Sequence, residues 1–110
     1  MMNKNERTLE KYIKAGAEMR LVKTLASRAF VDVGGLIKVS DQNKLRRALN
    51  LIDEICSTAE DNMYRDHPGL SDEYTSVFYG VTNTSARNNV DRDILSLAGN
   101  VAESLYMEDI

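Results

Sequence analysis

The sequence predicts an all-α domain, built as a small antiparallel bundle of three long helices and one short helix. Apolar residues recur at steps of three and four along most of the chain, which is the spacing of one face of a helix. Residues that break helices are rare: Pro68 is the only proline, and four of the six glycines lie at Gly34–Gly35, Gly69 and Gly80. These breakers divide the 110 residues into four segments. A chain of this length with no internal repeat is expected to form one domain, 1–110.

The first helix is predicted from about Glu6 to Ala29. Its apolar stripe follows strict four-residue steps: Leu9, Ile13, Ala17, Leu21 and Leu25. Asn3 and Glu6 have the spacing of a capping box at the start of a helix. Gly16 in mid-helix costs about 1 kcal/mol relative to alanine, which indicates a close packing contact at that position.

Residues 31–39, VDVGGLIKV, interrupt the helical pattern. The pair Gly34–Gly35 favours a helix end followed by a short extended connector, whereas the β-branched residues around it also fit a short β-hairpin. Both alternatives remain open from the sequence alone.

The second helix, within SDQNKLRRALNLIDEICSTAEDNM (residues 40–63), has the clearest pattern in the chain. Its apolar residues follow steps of 4, 3, 4, 3 and 4, the spacing of a coiled-coil or bundle seam: Leu45, Leu49, Ile52, Cys56, Ala59 and Met63. Ser40 is the predicted N-cap. Pro68 ends the helix, because a proline disfavours helical geometry at the preceding residue, His67.

Two further helices are predicted after Pro68. Ser71 is expected to cap a short helix, and the last helix occupies most of the remaining chain. The apolar side of the short helix consists of Tyr74, Val77, Phe78 and Val81, and that of the last helix of Val90, Ile94, Leu97, Val101 and Leu105.

The sequence contains no motif for catalysis, a cofactor or a metal ion. One cysteine and one histidine cannot complete a four-ligand zinc site. Cys56 is expected to be a buried hydrophobe in the helix seam, and His67 an exposed loop residue. The acidic residues Asp91 and Asp93 are expected on a solvated helix face. We therefore predict that the protein is not an enzyme and uses no cofactor.

The composition predicts a protein of the cytoplasm that does not cross a membrane. Hydrophobic residues make up 43% of the chain and charged residues 28%, which excludes the composition of a disordered chain. No apolar run approaches the roughly 18 residues of a membrane-spanning helix. The N-terminal sequence MMNKNERTLEKY lacks the apolar core of a signal peptide.

Charge is segregated along the chain. Residues 1–50 carry 11 Lys and Arg against 5 Asp and Glu, and residues 51–110 carry 3 against 12. The second helix has its cations first and its anions last, although a helix dipole favours the opposite order. In an antiparallel hairpin, the acidic end of this helix lies beside the cations that begin the first helix. Segregation of this kind also indicates a charged binding surface.

The favoured hypothesis is a small regulator, inhibitor or adaptor that binds another protein with a basic surface and forms a homo-oligomer, with a homodimer as the simplest case. Anions interleaved with tyrosines have the composition of a protein-binding face. The predicted partner-binding residues are Arg46, Asp53, Glu60, Tyr64, Tyr74 and Tyr79.

The alternative hypothesis is a nucleic-acid-binding regulator that uses the basic N-terminal half. The residues predicted for this role are Lys38, Lys44, Arg46 and Arg47. A wider phosphate-binding face would add cations of the first helix, among them Arg20 and Lys23. The acidic half, folded against this face, would weaken its attraction for phosphates.

Overall fold

The computed structural model describes residues 1–82 and 84–108, and within them all regular structure is helical. The three long helices and one short helix confirm the predicted all-α class. They are α1 (Leu9–Gly34), α2 (Val39–Asp66), a 3₁₀ helix (Asp72–Val77) and α3 (Asn89–Glu108).

Helix α1 is the centre of the fold. It packs against α2 on one side and α3 on another, and the 3₁₀ helix contacts both α1 and α3. Helices α1 and α2 form an antiparallel hairpin, since Arg7 reaches Asp66 at one end and Gln42 Nε2 donates to Gly34 O at 2.6 Å at the other.

The predicted capping box forms, but not at the start of the helix. Glu6 N donates to Asn3 Oδ1 at 3.1 Å, and Asn3 Nδ2 donates to Glu6 Oε1 at 2.9 Å, within a turn that precedes α1. Helix α1 begins at Leu9, and Thr8 is its N-cap, accepting a hydrogen bond from Lys11 N at 3.3 Å. The reciprocal bonds of the box therefore stabilise the turn that leads into the helix.

Of the two alternatives for residues 31–39, the helix end at Gly34–Gly35 is correct, with Gly35 as the C-cap of α1, and the β-hairpin is wrong. Helix α1 continues through Gly34 and α2 begins at Val39, so four residues make the connection. Gly35 keeps the right-handed helical conformation, with φ −74° and ψ −9°. Ser40 is not the N-cap, because α2 begins one residue before it and Lys38 takes the cap position.

The apolar stripe predicted for α1 is correct at its start and wrong at its end. Each four-residue step turns about 40° beyond one full turn of an α-helix. The stripe therefore moves around the helix, and Leu25 at its end is 64% exposed. The residues buried on α1 include Tyr12, Gly16 and Ala17, together with the charged residue Arg20.

The seam of α2 faces the core as predicted. Cys56 and Met63 are buried, the other four seam residues are half-buried, and His67 ends the helix before Pro68. In α3 the buried apolar side chains are Ile94 and Ala98. The seam is therefore most deeply covered in the second half of α2.

The close contact indicated by Gly16 is with the 3₁₀ helix. A Cβ atom on Gly16 would lie 2.4 Å from both Cγ1 and the carbonyl oxygen of Val77. Val77 and the adjoining Phe78 are buried, as the pattern of the short segment predicts. Ser71 precedes the 3₁₀ helix in an extended conformation, and its carbonyl accepts from Tyr74 N at 3.1 Å.

Within residues 1–82 and 84–108, no helix combines the length and the apolar character needed to cross a membrane.

Candidate protein-binding surface

A buried ion pair fixes the segment that leads into α3. Arg20 and Asp91 are both fully buried and contact each other through Nη1 and Oδ1. The same guanidinium donates to Ser76 O at 2.9 Å and to Val81 O at 2.6 Å. The expectation that Asp91 is solvated is therefore wrong, and Arg20 cannot belong to a phosphate-binding face.

Arg87 extends this ion pair to the surface. Its Nη2 donates to Asp91 Oδ1 at 3.1 Å and to Tyr79 O at 2.6 Å, and its guanidinium lies 4.9 Å from the centre of the Tyr79 ring. Burial alone would raise the pKa of Asp91, but hydrogen bonds from Arg87 and Arg20 hold this pKa well below its usual range. Tyr79 is thereby held in place although its ring is exposed.

A second polar cluster joins the beginning of α1 to the end of α2. Arg7 donates to Asp66 from Nε at 2.6 Å and from Nη2 at 3.0 Å, and Tyr12 Oη donates to the same carboxylate at 2.5 Å. The hydrogen bond from Arg7, followed by that from Tyr12, lowers the pKa of Asp66. At this end of the hairpin one cation from the start of the chain, Arg7, pairs with one carboxylate at the end of α2, Asp66.

His67 belongs to the same cluster. It is half-buried rather than exposed, with Nε2 2.8 Å from Arg7 O and its ring edge-on to that of Tyr12. The expectation of a fully exposed loop histidine is therefore wrong.

Six carboxylates form a surface that we call the acidic face. They lie on the second half of α2 and on the 3₁₀ helix: Asp53, Glu54, Glu60, Asp61, Asp72 and Glu73. The two helices meet here because Tyr64 Oη lies 3.1 Å from Ser71 O and 3.2 Å from Thr75 Oγ1. Within the described part of the chain, none of the six has a cationic nitrogen within 4.0 Å.

The electrostatics of Glu60 reflect this crowding of like charge. Burial raises the pKa of Glu60, and the neighbouring charge of Asp61 raises it further, against a hydrogen bond from Thr75. The carboxylate form of Glu60 is therefore less stable here than in water, and a nearby cation would stabilise it.

A polar groove adjoins the acidic face at Asp53. It lies between α1, α2 and the turn at residues 79–81, and has a volume of about 430 Å³. Lys23 and Arg46 contribute cations, Asp53 an anion and Tyr79 an exposed aromatic ring. Lys23 Nζ donates to Phe78 O at 2.6 Å, which ties the turn to α1.

The structure brings together some of the predicted partner-binding residues and separates others. Arg46, Asp53 and Tyr79 line the polar groove. Glu60 and Tyr64 lie further along α2 beside the 3₁₀ helix, and Tyr64 uses its hydroxyl within the chain. The last of the six, Tyr74, is half-buried against the hydrophobic core.

The cations of the nucleic-acid hypothesis do not all lie on one side of α2, although Lys44 and Arg47, three positions apart, do. Arg46 lines the polar groove, while Lys44 Nζ lies 3.4 Å from Asp41 Oδ1. Lys44 and Arg46, two positions apart, are separated by about 160° around the helix. Lys38 is the N-cap residue of α2. Arg47 lies nine residues further along the chain and is exposed.

The sequence did not indicate that Asp72 and Glu73 belong to the acidic face or that Lys23 lines the polar groove. The spacing of seven residues between Asp53 and Glu60 could be read from the sequence, because it is close to two helical turns. Nothing in the sequence indicated that the 3₁₀ helix packs beside Tyr64, which brings Asp72 and Glu73 into the face.

Among the described residues, no group of three or more His, Cys, Asp or Glu side chains is placed to hold a metal ion. Comparisons of the chain with protein-family models, with curated proteins and with solved structures gave no match.

Proposed function

We propose that the protein is a small regulator, inhibitor or adaptor that acts by binding another protein with a basic surface. The main support for this proposal is the acidic face, where none of the six carboxylates has a cationic nitrogen of the described chain within 4.0 Å. Lysines or arginines of a partner would supply the missing counter-charge. Complementary charge of this kind speeds association and orients the two proteins.

The polar groove supports the same proposal. Interfaces are enriched in tyrosine and arginine, which combine a large contact area with polar groups. Tyr79 is 63% exposed and is held by Arg87, so little side-chain freedom is lost when a partner packs on it. The groove thus offers an anchor next to the charged surface.

Affinity capture from the native cell, with and without nuclease, tests this function. Tagged wild-type protein is compared with a Glu60→Lys/Asp61→Lys variant. The matched control is Asp93→Lys/Glu103→Lys, which reverses two exposed acids of α3 outside the acidic face.

We expect a partner that survives nuclease, is retained by the α3 control and is lost with the acidic-face variant. Loss of all captured material after nuclease treatment would favour the nucleic-acid hypothesis. Equal capture by the acidic-face variant and the wild type would contradict the proposed surface.

A further inference from the structure

The hairpin has a second surface, which is apolar and is not covered by another element of residues 1–82 and 84–108. We call it the open face; its central residues are Met19, Ala26, Ala29, Val33, Ala48 and Ile55. Two hollows, of about 280 and 220 Å³, lie along it between α1 and α2. The charged side chains that line these hollows, Arg7 and Lys11, lie at the end nearest the start of α1.

The open face and the acidic face lie on different sides of α2. On a helix of 3.6 residues per turn, Ile55 lies about 160° from Asp53 and about 140° from Glu60. A protein bound to the acidic face would therefore leave the open face uncovered.

The spacing of α1 residues on the open face is that of a helix that packs against a partner helix. Met19, Val22, Ala26, Ala29 and Val33 follow steps of 3, 4, 3 and 4. Val22, Ala29 and Val33 nevertheless remain exposed. On α2, Ile55 is 62% exposed. Helix α1 thus carries an apolar seam that the other described helices cover only in part.

The surface area indicates how much packing is missing. The chain has an accessible surface of 7589 Å² and a mass of 12.4 kDa. A compact monomer of that mass has about 6,100 Å², so the excess is roughly 1,500 Å². The radius of gyration is 15.4 Å, against about 13 Å for a compact domain of this length. A stable interface of standard size buries about 800 Å² per partner, which this excess can supply.

We propose that a second copy of the chain covers the open face. Two antiparallel hairpins that pack through their apolar sides form a four-helix bundle, and a twofold axis makes the same face complementary to itself. Small residues such as Ala26, Ala29 and Ala48 allow close approach of the helices. The two acidic faces remain on the outside of the dimer, free to bind partners.

Sedimentation of the purified chain tests this inference. The wild type is expected at twice the 12.4 kDa mass of one chain. Ile55→Glu places a carboxylate in a largely apolar interface and should raise the dimer dissociation constant at least about 100-fold, because taking a charge out of water is strongly unfavourable. Circular dichroism establishes that the variant is folded.

Two valines of α1 give a matched pair for the same measurement. Val33 lines the open face and is 41% exposed, whereas Val31 is 75% exposed and lies elsewhere on the helix. Val33→Glu should weaken the dimer and Val31→Glu should leave it unchanged. Equal effects of the two substitutions would overturn the assignment of the interface.

A single-chain mass for the wild type at the highest concentration tested would overturn the proposal, even if a different protein were found on the open face. If Ile55→Glu fails to fold, the melting temperature of the wild type decides. For a dimer it must rise with protein concentration, and a melting temperature independent of concentration would overturn the proposal.

Discussion

Arg20 shows at the scale of one residue how far a role in the fold can lie from its appearance in the sequence. In the sequence it is one more cation in a basic segment; in the structure it is fully buried and holds Asp91, Ser76 and Val81 together. Its partner Asp91 is 71 positions away. Spacing along a helix predicts which residues are neighbours only within a few turns. The pairing of Arg20 with Asp91 could therefore not be predicted from the residues around either of them.

Replacing Arg20 with methionine should reduce the free energy of unfolding by about 3–5 kcal/mol, because a buried ion pair loses one member and two carbonyls lose a donor. The exposed cation Arg28 provides the control, since Arg28→Met should change stability by less than about 0.5 kcal/mol. Urea unfolding measures both. A similarly small change in the free energy of unfolding for both variants would show that the buried ion pair contributes little to stability.

The two buried carboxylates predict how stability depends on pH. The pKa values of Asp66 and Asp91 are lowered in the folded chain. A lowered pKa contributes stability above the pKa of the unfolded chain, about 3.9 for aspartate, and this contribution is lost as the pH falls below that value.

The free energy of unfolding should therefore decrease as the pH falls from about 5 towards about 1. Asp66→Asn should make this decrease smaller, whereas Asp93→Asn, at an exposed position of α3, should leave it unchanged. Chemical unfolding across this pH range provides the measurement. If the free energy of unfolding of Asp66→Asn decreased as much as that of the wild type, Asp66 would not contribute to the pH dependence.

At the scale of elements, periodicity predicted the number and class of the helices better than their boundaries. The α2 seam was predictable because alternating steps of four and three stay on one side of a helix. The α1 stripe was not, because uniform steps of four drift around it. The helical path through Gly34 depends on packing: Gly34 is buried, and its carbonyl accepts from Gln42 of the next helix.

Gly16 gives a prediction at this scale. Alanine favours a helix over glycine by about 1 kcal/mol, but a Cβ at this position would overlap Val77 at 2.4 Å. Gly16→Ala should therefore lower the free energy of unfolding by about 1–3 kcal/mol, the usual cost of overpacking.

Gly99 on α3 is the matched control for this substitution. A Cβ there would meet no heavy atom of the described residues within 4 Å. Gly99→Ala should raise the free energy of unfolding by roughly 0.5–1 kcal/mol. Thermal or urea unfolding compares the two, and stabilisation by both substitutions would contradict the close contact between α1 and the 3₁₀ helix.

At the scale of the whole molecule, the sequence indicates the segregation of charge but not which charged and aromatic residues come together. Arg46 and Tyr79 are 33 positions apart and come together only because the turn at residues 79–81 packs beside α2. The acidic face likewise combines two helices. Contacts between residues of different elements depend on tertiary packing, and the apolar pattern of a single helix does not predict them.

Hydrogen exchange of the chain, measured alone and bound to the protein that it captures, tests most directly whether the acidic face is the binding surface. We expect binding to slow exchange in α2 over residues 53–64 and in the segment 71–75, and to leave the exchange of α3 unchanged. Slower exchange confined to α3, or to residues 38–47 at the basic start of α2, would contradict the assignment of the acidic face as the binding surface.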